Sequence, residues 1–459
     1  MRDEFVILQG ETSIKEAIQL IARSKQHMAF TLGPDGKYEG TISINDLRRL
    51  ILSGINETDM LKYHPPSNRF SITEEELNNE EIISNVCSDL TLRGVEHIPV
   101  LNEAGKILDI ISITELSSLF NGANVAIPVK NRAGKILIVG GAGYLGSVLC
   151  ANLLEHGYAV RVLDNFLYGR HSLDKMPIPQ NLEVIEGDLR NIHTCVSALD
   201  GVHAVVLLAA IVGDPASKVR PRETIETNVI AAQALAAACK QQCIDRFLYA
   251  STCSVYGQGK NPLDEEADLQ PVSLYARTKI ASEKMILSMG DDYFAPTILR
   301  MGTLYGYSPR MRFDLVVNTM TMHAHMERKI RVFGGKQWRP LVSVQDAARA
   351  YMRCLESDIA KVGNQVFNIG CDGQNYQIEQ IARIVSEAIG NIIVERDNES
   401  PDSRDYRVSF RKAHNVLEFQ AKDTVAMASR VIYSNLEQGL IPDPSQKIYY
   451  NHFFDATEE

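Results

Sequence analysis

Hydrophobic positions fall into two different rhythms along the 459-residue chain. In ETSIKEAIQLIARSK the apolar residues stand at 14, 17, 18, 20 and 21, the spacing of one helical face. The stretch HMAFTLGPDGKYEGTISINDLRRLI from His27 then returns, about 69 residues later, as HIPVLNEAGKILDIISITELSSLF from His97. Each copy reads as an apolar strand, a turn at Gly36 or Gly105, a second strand, and a helix. Ser43 with Asp46 and Ser112 with Glu115 have the spacing of capping boxes that would open those helices. Two such units predict one small α/β domain over 1–122. The stretch NGANVAIPVKNRAGK loses periodicity and carries Pro and Gly, which predicts a linker over 123–134.

From Lys135 the rhythm changes. KILIVGGAGYLGSVLCANLLEHGYAVRVLDNF reads as a buried strand, a glycine turn, an apolar helix and a second strand ending in Asp164. LEVIEGDL, AVVLLAAIVG and RFLYASTCSVYG predict further strands, separated by helical stretches such as ETNVIAAQALAAACKQQ. That alternation predicts a parallel, doubly wound sheet of the Rossmann type. The core is expected mainly over 135–300, with a smaller α/β region over 301–459.

Composition narrows the function. With 45% hydrophobic and 23% charged residues the chain is ordinary globular material, long enough for two or three domains. A formal net charge of −10 and a pI near 5.7 offer no footprint for nucleic acid or for an anionic membrane. The start MRDEFVILQG fits neither a secretory leader nor a spanning segment, so a cytoplasmic protein is expected. Eight cysteines occur without CxxC pairs, several within apolar runs, as reduced core residues would. Cys239 and Cys243 share a helical spacing but lack any His or carboxylate pattern beside them, so no metal site is expected.

Two patterns carry chemistry. Gly140, Gly143 and Gly146 sit between a strand and a helix, where bare backbone lets a pyrophosphate reach the free N–H groups of the helix start. Asp164 follows Gly146 by 18 residues. A carboxylate there accepts ribose hydroxyls and repels a 2′-phosphate, which favours NAD over NADP. Arg161 and Arg170 are the nearby cations that weigh against this choice. The second pattern is SLYARTKIASEKM, where Tyr275 and Lys279 stand one helical turn apart. Alone, the spacing usually marks a solvated pair on a helix surface; as chemistry, the Lys charge would lower the pKa of the phenol.

In order, GGAGYLG, Asp164, GDL, LLAA, STCSVYG, YARTK and WRPLVSVQDAA resemble the extended short-chain dehydrogenase/reductase family, in its nucleotide-sugar epimerase and dehydratase branch, over about residues 135–420. The resemblance implies Tyr275, Lys279 and Thr252 as catalytic residues. It implies NAD contacts at Gly140, Gly143, Tyr144, Leu145, Gly146, Asp164, Asn165, Asp188, Leu189, Ala209, Ala210 and Asn228, and again at Tyr275 and Lys279. It implies nucleotide-sugar contacts at Thr252, Asn318, Arg339 and Arg404. Dehydratases of the branch carry Asp and Glu after the Thr; here Cys253 and Ser254 stand there, so C4 epimerisation is expected over 4,6-dehydration. Ketoreduction, dehydration, decarboxylation and a non-catalytic NAD or nucleotide sensor stay open. Residues 1–122 resemble a tandem pair of CBS motifs, with GTISINDL closest to the signature. That resemblance implies adenine nucleotide at Ser43 and Asp46, regulation or oligomerisation, and together the two parts imply a homo-oligomer.

Overall fold

The computed structural model describes the chain except residues 1–4, 25–27, 44, 45, 48, 49, 52, 53, 67, 68, 80, 81, 84, 85, 87–96, 113–115, 117–133, 175, 292, 398–403 and 453–459. Glu115 and nearly all of the expected linker therefore lie outside the described residues. The chain divides into two compact units at Gly134 and Lys135.

In the first unit, Ser13 caps the helix Ile14–Arg23 by accepting from the Glu16 N–H at 3.2 Å. Ile14, Ala17 and Ile21, spaced by three and four, are fully buried. The strand pairs of the two copies fold alike. Met28–Leu32 pairs antiparallel with Tyr38–Ser43, and His97–Leu101 with Ile107–Ser112. Each hairpin shifts register at its fourth pair, between Thr31 and Leu32 or between Val100 and Leu101. The turn glycines adopt matching positive φ, +74° at Gly36 and +75° at Gly105. The Tyr38 N–H donates to the Gly105 carbonyl at 2.9 Å, so the two hairpin turns meet. Each copy supplies its own core, around Ile14, Ala29 and Ile42 in one and around Ile72, Ile98 and Leu116 in the other.

The second unit is built on a seven-stranded sheet. Its order is Leu182–Glu186, Ala159–Asp164, Lys135–Val139, Val202–Leu207, Arg246–Thr252, Ala295–Met301 and Gln365–Ile369. Every neighbouring pair is parallel. The direction of winding reverses beside Lys135–Val139, and in such sheets the crevice beyond the carboxyl ends at that reversal takes the ligand. Strands covered on both faces read as unbroken apolar runs, and Leu137, Ile138, Val205, Val206 and Phe247 are accordingly buried. A fully buried side chain of this kind contributes about 1.5–3 kcal/mol relative to exposure. Small sheets and the helices Val316–Glu327, Ile378–Ile389 and Val425–Glu437 form a second core toward the C-terminus. The Rossmann-type α/β architecture is thus the one expected.

Candidate active site

The glycine turn is shaped by what cannot fit. Gly140 has φ +90°, and a Cβ there would stand 2.7 Å from the Ala209 nitrogen; at Gly146 it would stand 2.2 Å from the Gly140 carbonyl oxygen. A Cβ on Gly143 would meet only the Gly140 oxygen, at 3.3 Å. The turn can therefore press the helix Tyr144–Glu155 onto the strand end while presenting bare backbone outward. Asp164 closes the far side, accepting from the Ala142 N–H at 2.9 Å and the Phe166 N–H at 2.8 Å. Burial raises its pKa, opposed by those two N–H groups and by Arg310.

One cavity of about 370 Å³ joins this turn to the Tyr–Lys pair. Gly140, Gly143, Tyr144, Leu145, Gly146, Asp164, Asn165, Asp188, Leu189, Ala209 and Ala210 line it, with Thr252, Tyr275, Lys279 and Arg404. Arg190 grips Asp188 through Nη2 at 2.7 Å and Nε at 3.0 Å, holding its carboxyl below the usual range. The residues present fit a dinucleotide: bare glycine backbone and a helix start for phosphate, and carboxylates for ribose hydroxyls.

Ser273 starts the helix Leu274–Ser288, accepting from the Ala276 N–H at 3.2 Å, and the next residues point Tyr275 and Lys279 inward. They are only 8% and 2% exposed. The Lys279 Nζ donates to the Ala250 carbonyl at 2.8 Å and stands 5.9 Å from the Tyr275 ring centroid. Thr252 ends its strand beside them, its Oγ1 accepting from the Ser254 N–H at 3.1 Å. Burial pushes Lys279 down to about 7, against the pull of Glu283. Burial also raises Tyr275, opposed by Arg312 and the Thr252 hydroxyl. The expected lowering of the phenol pKa is thus outweighed here, because closing the pocket removes water from both groups. Behind Thr252, Ser251 donates to Glu283, which pairs with Arg300 at 2.7 Å.

Three expected contacts do not reach the cavity. Asn228 lies in the π-helical turn Glu226–Ala231, where its Oδ1 accepts from the Ile211 N–H at 2.8 Å and its Nδ2 donates to the Ile211 carbonyl and the Thr278 hydroxyl. Its amide ties the loop after the fourth strand to the Tyr275 helix. Asn318 is fully buried; it accepts from the Gly306 N–H at 2.9 Å and donates to the Tyr144 hydroxyl and the Arg312 carbonyl. With its amide donors and its oxygen engaged, it holds the chain rather than a ligand. Arg339 donates to the Trp338 and Arg404 carbonyls and is 5% exposed. The nearby acid Asp346 bonds Ser343, Arg349 and the Lys422 and Asp423 N–H groups. Arg161 is likewise spent on the Ala198 and Asp200 carbonyls and Glu183. Tyr168, Arg310, Arg312, Tyr406 and Asn451 line the cavity and were not anticipated. Two arginines two apart in YSPRMRF, flanked by apolar residues, were the available signal.

In the first unit, Ser43 and Asp46 form the expected capping box: the Ser43 hydroxyl and N–H donate to Asp46 Oδ2 at 2.7 and 2.9 Å, and the Asp46 N–H donates back at 3.2 Å.

Comparison with known proteins agrees with this geometry. The model of the NAD dependent epimerase/dehydratase family matches residues 136–370, slightly over half of the chain. The chain belongs to the NAD-dependent epimerase/dehydratase family. A CBS domain model matches residues 1–53 of this epimerase/dehydratase. It is 31% identical over 278 residues to a UDP-glucose 4-epimerase of Corynebacterium glutamicum, covering 56% of this chain and 81% of that one. It is 29% identical over 265 residues to a UDP-N-acetyl-alpha-D-glucosaminuronate decarboxylase of Bacillus cytotoxicus, covering 55% and 79%. Among solved structures, a UDP-glucuronic acid 4-epimerase from Bacillus cereus, in complex with UDP-glucuronic acid and NAD, is 25% identical with a TM-score of 0.58, over 66% of this chain and 99% of that chain. No helix among the described residues is long and apolar enough to cross a membrane.

Proposed function

We propose that this epimerase/dehydratase inverts C4 of a nucleotide-linked hexose. The observation that carries the reading is the convergence of Thr252, Tyr275 and Lys279 on the cavity of the glycine turn, without a carboxyl acid after Thr252. Cys253 is buried, donates to the Arg300 carbonyl at 3.3 Å, and has its thiol pushed up by burial. Ser254 lines the cavity with a hydroxyl too weakly acidic to act as a general acid at neutral pH. Water elimination lacks its proton shuttle, whereas oxidation and re-reduction need only one proton carrier beside the sugar oxygen.

Tyr275 is that carrier. Its phenol holds its proton in the closed pocket, the state required for returning a proton to a 4-keto oxygen. Accepting a proton from the C4 hydroxyl depends on positive charge facing the phenol, which Arg312 supplies. Thr252 orients the sugar oxygen toward the phenol. NAD, when bound, supplies the hydride acceptor and, after the keto sugar turns, the donor. Arg404, which lines the cavity and pairs with Asp214 at 3.5 Å, is the diphosphate contact of the substrate. The capped Ser43–Asp46 turn is a nucleotide site for regulation, and the working form is a homo-oligomer.

The test is mass spectrometry of protein incubated with UDP-, GDP-, dTDP- and CDP-hexoses and with the corresponding hexuronates. An isobaric product with a new C4 configuration is expected. A product lighter by carbon dioxide, or differing by two hydrogens, replaces epimerisation by decarboxylation or net redox. Tyr275→Phe should abolish turnover while NAD stays bound. Calorimetry of the full chain with AMP, ADP and ATP should show heat that Asp46→Ala removes; no heat from any of them removes the regulatory site.

A further inference from the structure

Arg310 has an unusual situation for a buried charge. It is 1% exposed, yet makes no ion pair among the described residues, since the neighbouring carboxylate of Asp314 is taken by Arg312 through two bonds of 2.9 and 2.7 Å. Among the described residues its Nε has no hydrogen-bond partner, and its Nη2 donates only to the Asn451 side-chain oxygen, at 2.8 Å. Its guanidinium stacks on the Tyr168 ring at 4.0 Å. Burial and the Arg312 charge push its pKa down to about 10. A buried cation without an anion is costly, so the arrangement calls for one from outside the chain.

Its position says which. The Arg310 N–H donates to the Ser308 hydroxyl at 3.3 Å, and that hydroxyl donates to the Tyr144 carbonyl at 2.7 Å, in the first turn of the 12-residue helix after the glycine turn. Arg310 also acts on the charge of Asp164, at the opposite wall of the same turn. Asn451 bridges the loop carrying Tyr168, whose hydroxyl donates to the Asn451 carbonyl at 3.3 Å, to Val212, whose carbonyl accepts from its amide at 3.4 Å.

We infer that Arg310, aimed by Asn451 and Tyr168, is a clamp on the diphosphate of the bound dinucleotide, supplying the charge that the glycine backbone lacks. The inference rests on the dinucleotide reading of the cavity. A planar guanidinium answers a diphosphate with two parallel bonds, and the Tyr168 stack fixes its plane. The substrate diphosphate belongs to the other end, near Arg404 and Tyr275.

The test compares wild type, Arg310→Met and Arg310→Lys, freed of cofactor, by titration with NAD and separately with UDP, alongside thermal unfolding with and without NAD. Arg310→Met should weaken NAD about ten- to hundredfold, the effect of losing a charged hydrogen bond. Arg310→Lys should fall between, and UDP affinity should hold. Apo Arg310→Met should melt no lower than wild type, because a buried unpaired charge is gone, while its NAD-induced rise in melting temperature shrinks. Unchanged NAD affinity overturns the clamp, as does a loss confined to UDP or a drop in apo melting with NAD affinity intact. If wild type itself takes up no NAD, the dinucleotide reading fails instead.

Discussion

Arg300→Met tests how the protein holds the wall behind Thr252. Arg300 and Glu283 are 5% and 2% exposed. The guanidinium gives Glu283 contacts of 3.1, 3.2 and 2.7 Å, and also reaches the Tyr256 hydroxyl at 3.0 Å and the Glu265 carbonyl at 3.2 Å. Methionine keeps much of the apolar stem and leaves a buried carboxylate that, among the described residues, is hydrogen-bonded only by Ser251. Removing one partner of a buried pair costs about 3–5 kcal/mol, because the remaining charge stays uncompensated. Removing both in Arg300→Met/Glu283→Met leaves no such charge, so the double variant should cost less than the sum of the singles by about 3 kcal/mol. The assay is urea unfolding followed by near-ultraviolet circular dichroism, with the transitions of the two compact units fitted separately. A cost under about 1 kcal/mol for Arg300→Met, or strict additivity, would refute the idea that the pair is an interior constraint rather than a surface ornament.

Gly146→Ala puts a Cβ 2.2 Å from the Gly140 oxygen and 2.7 Å from the Gly141 Cα. Backbone must move, so a loss of about 1–3 kcal/mol in stability and a weaker NAD titration are expected; normal binding would mean the turn is slack. Asn318→Ala strands the Gly306 N–H and should cost about 1–3 kcal/mol in urea while the substrate KM stays put. A raised KM with no loss of stability would restore Asn318 to substrate binding. Lys279 carries a folded pKa of about 7 against an ordinary 10.5, so between those values the unfolded chain binds the extra proton. Its contribution to stability therefore rises with pH through that window and is flat below it. The urea midpoint of wild type minus that of Lys279→Met should climb from pH 7 to pH 10; parallel pH profiles would show the lysine to be solvated.

The sequence by itself determined what depends on neighbours in the chain. Strand and helix periods set the doubly wound sheet, and the spacing of Gly140, Gly143 and Gly146 set a turn that only bare backbone can make. The repeat set two hairpins with the same glycine turn and the same register shift. Tyr275 and Lys279 were legible because one helical turn places them together wherever the helix goes. What only the tertiary structure decided is where long polar side chains spend their hydrogen bonds. Asn228, Asn318 and Arg339 match a family pattern, yet their donors go to Ile211, Tyr144, Trp338 and Arg404, residues far away or differently aimed. Arg310 meets Asn451 across 141 positions, a contact no local pattern encodes. The pKa order of Tyr275 and Lys279 also waited on the fold, because burial depends on every element that closes the pocket, while spacing reports only the charge next door.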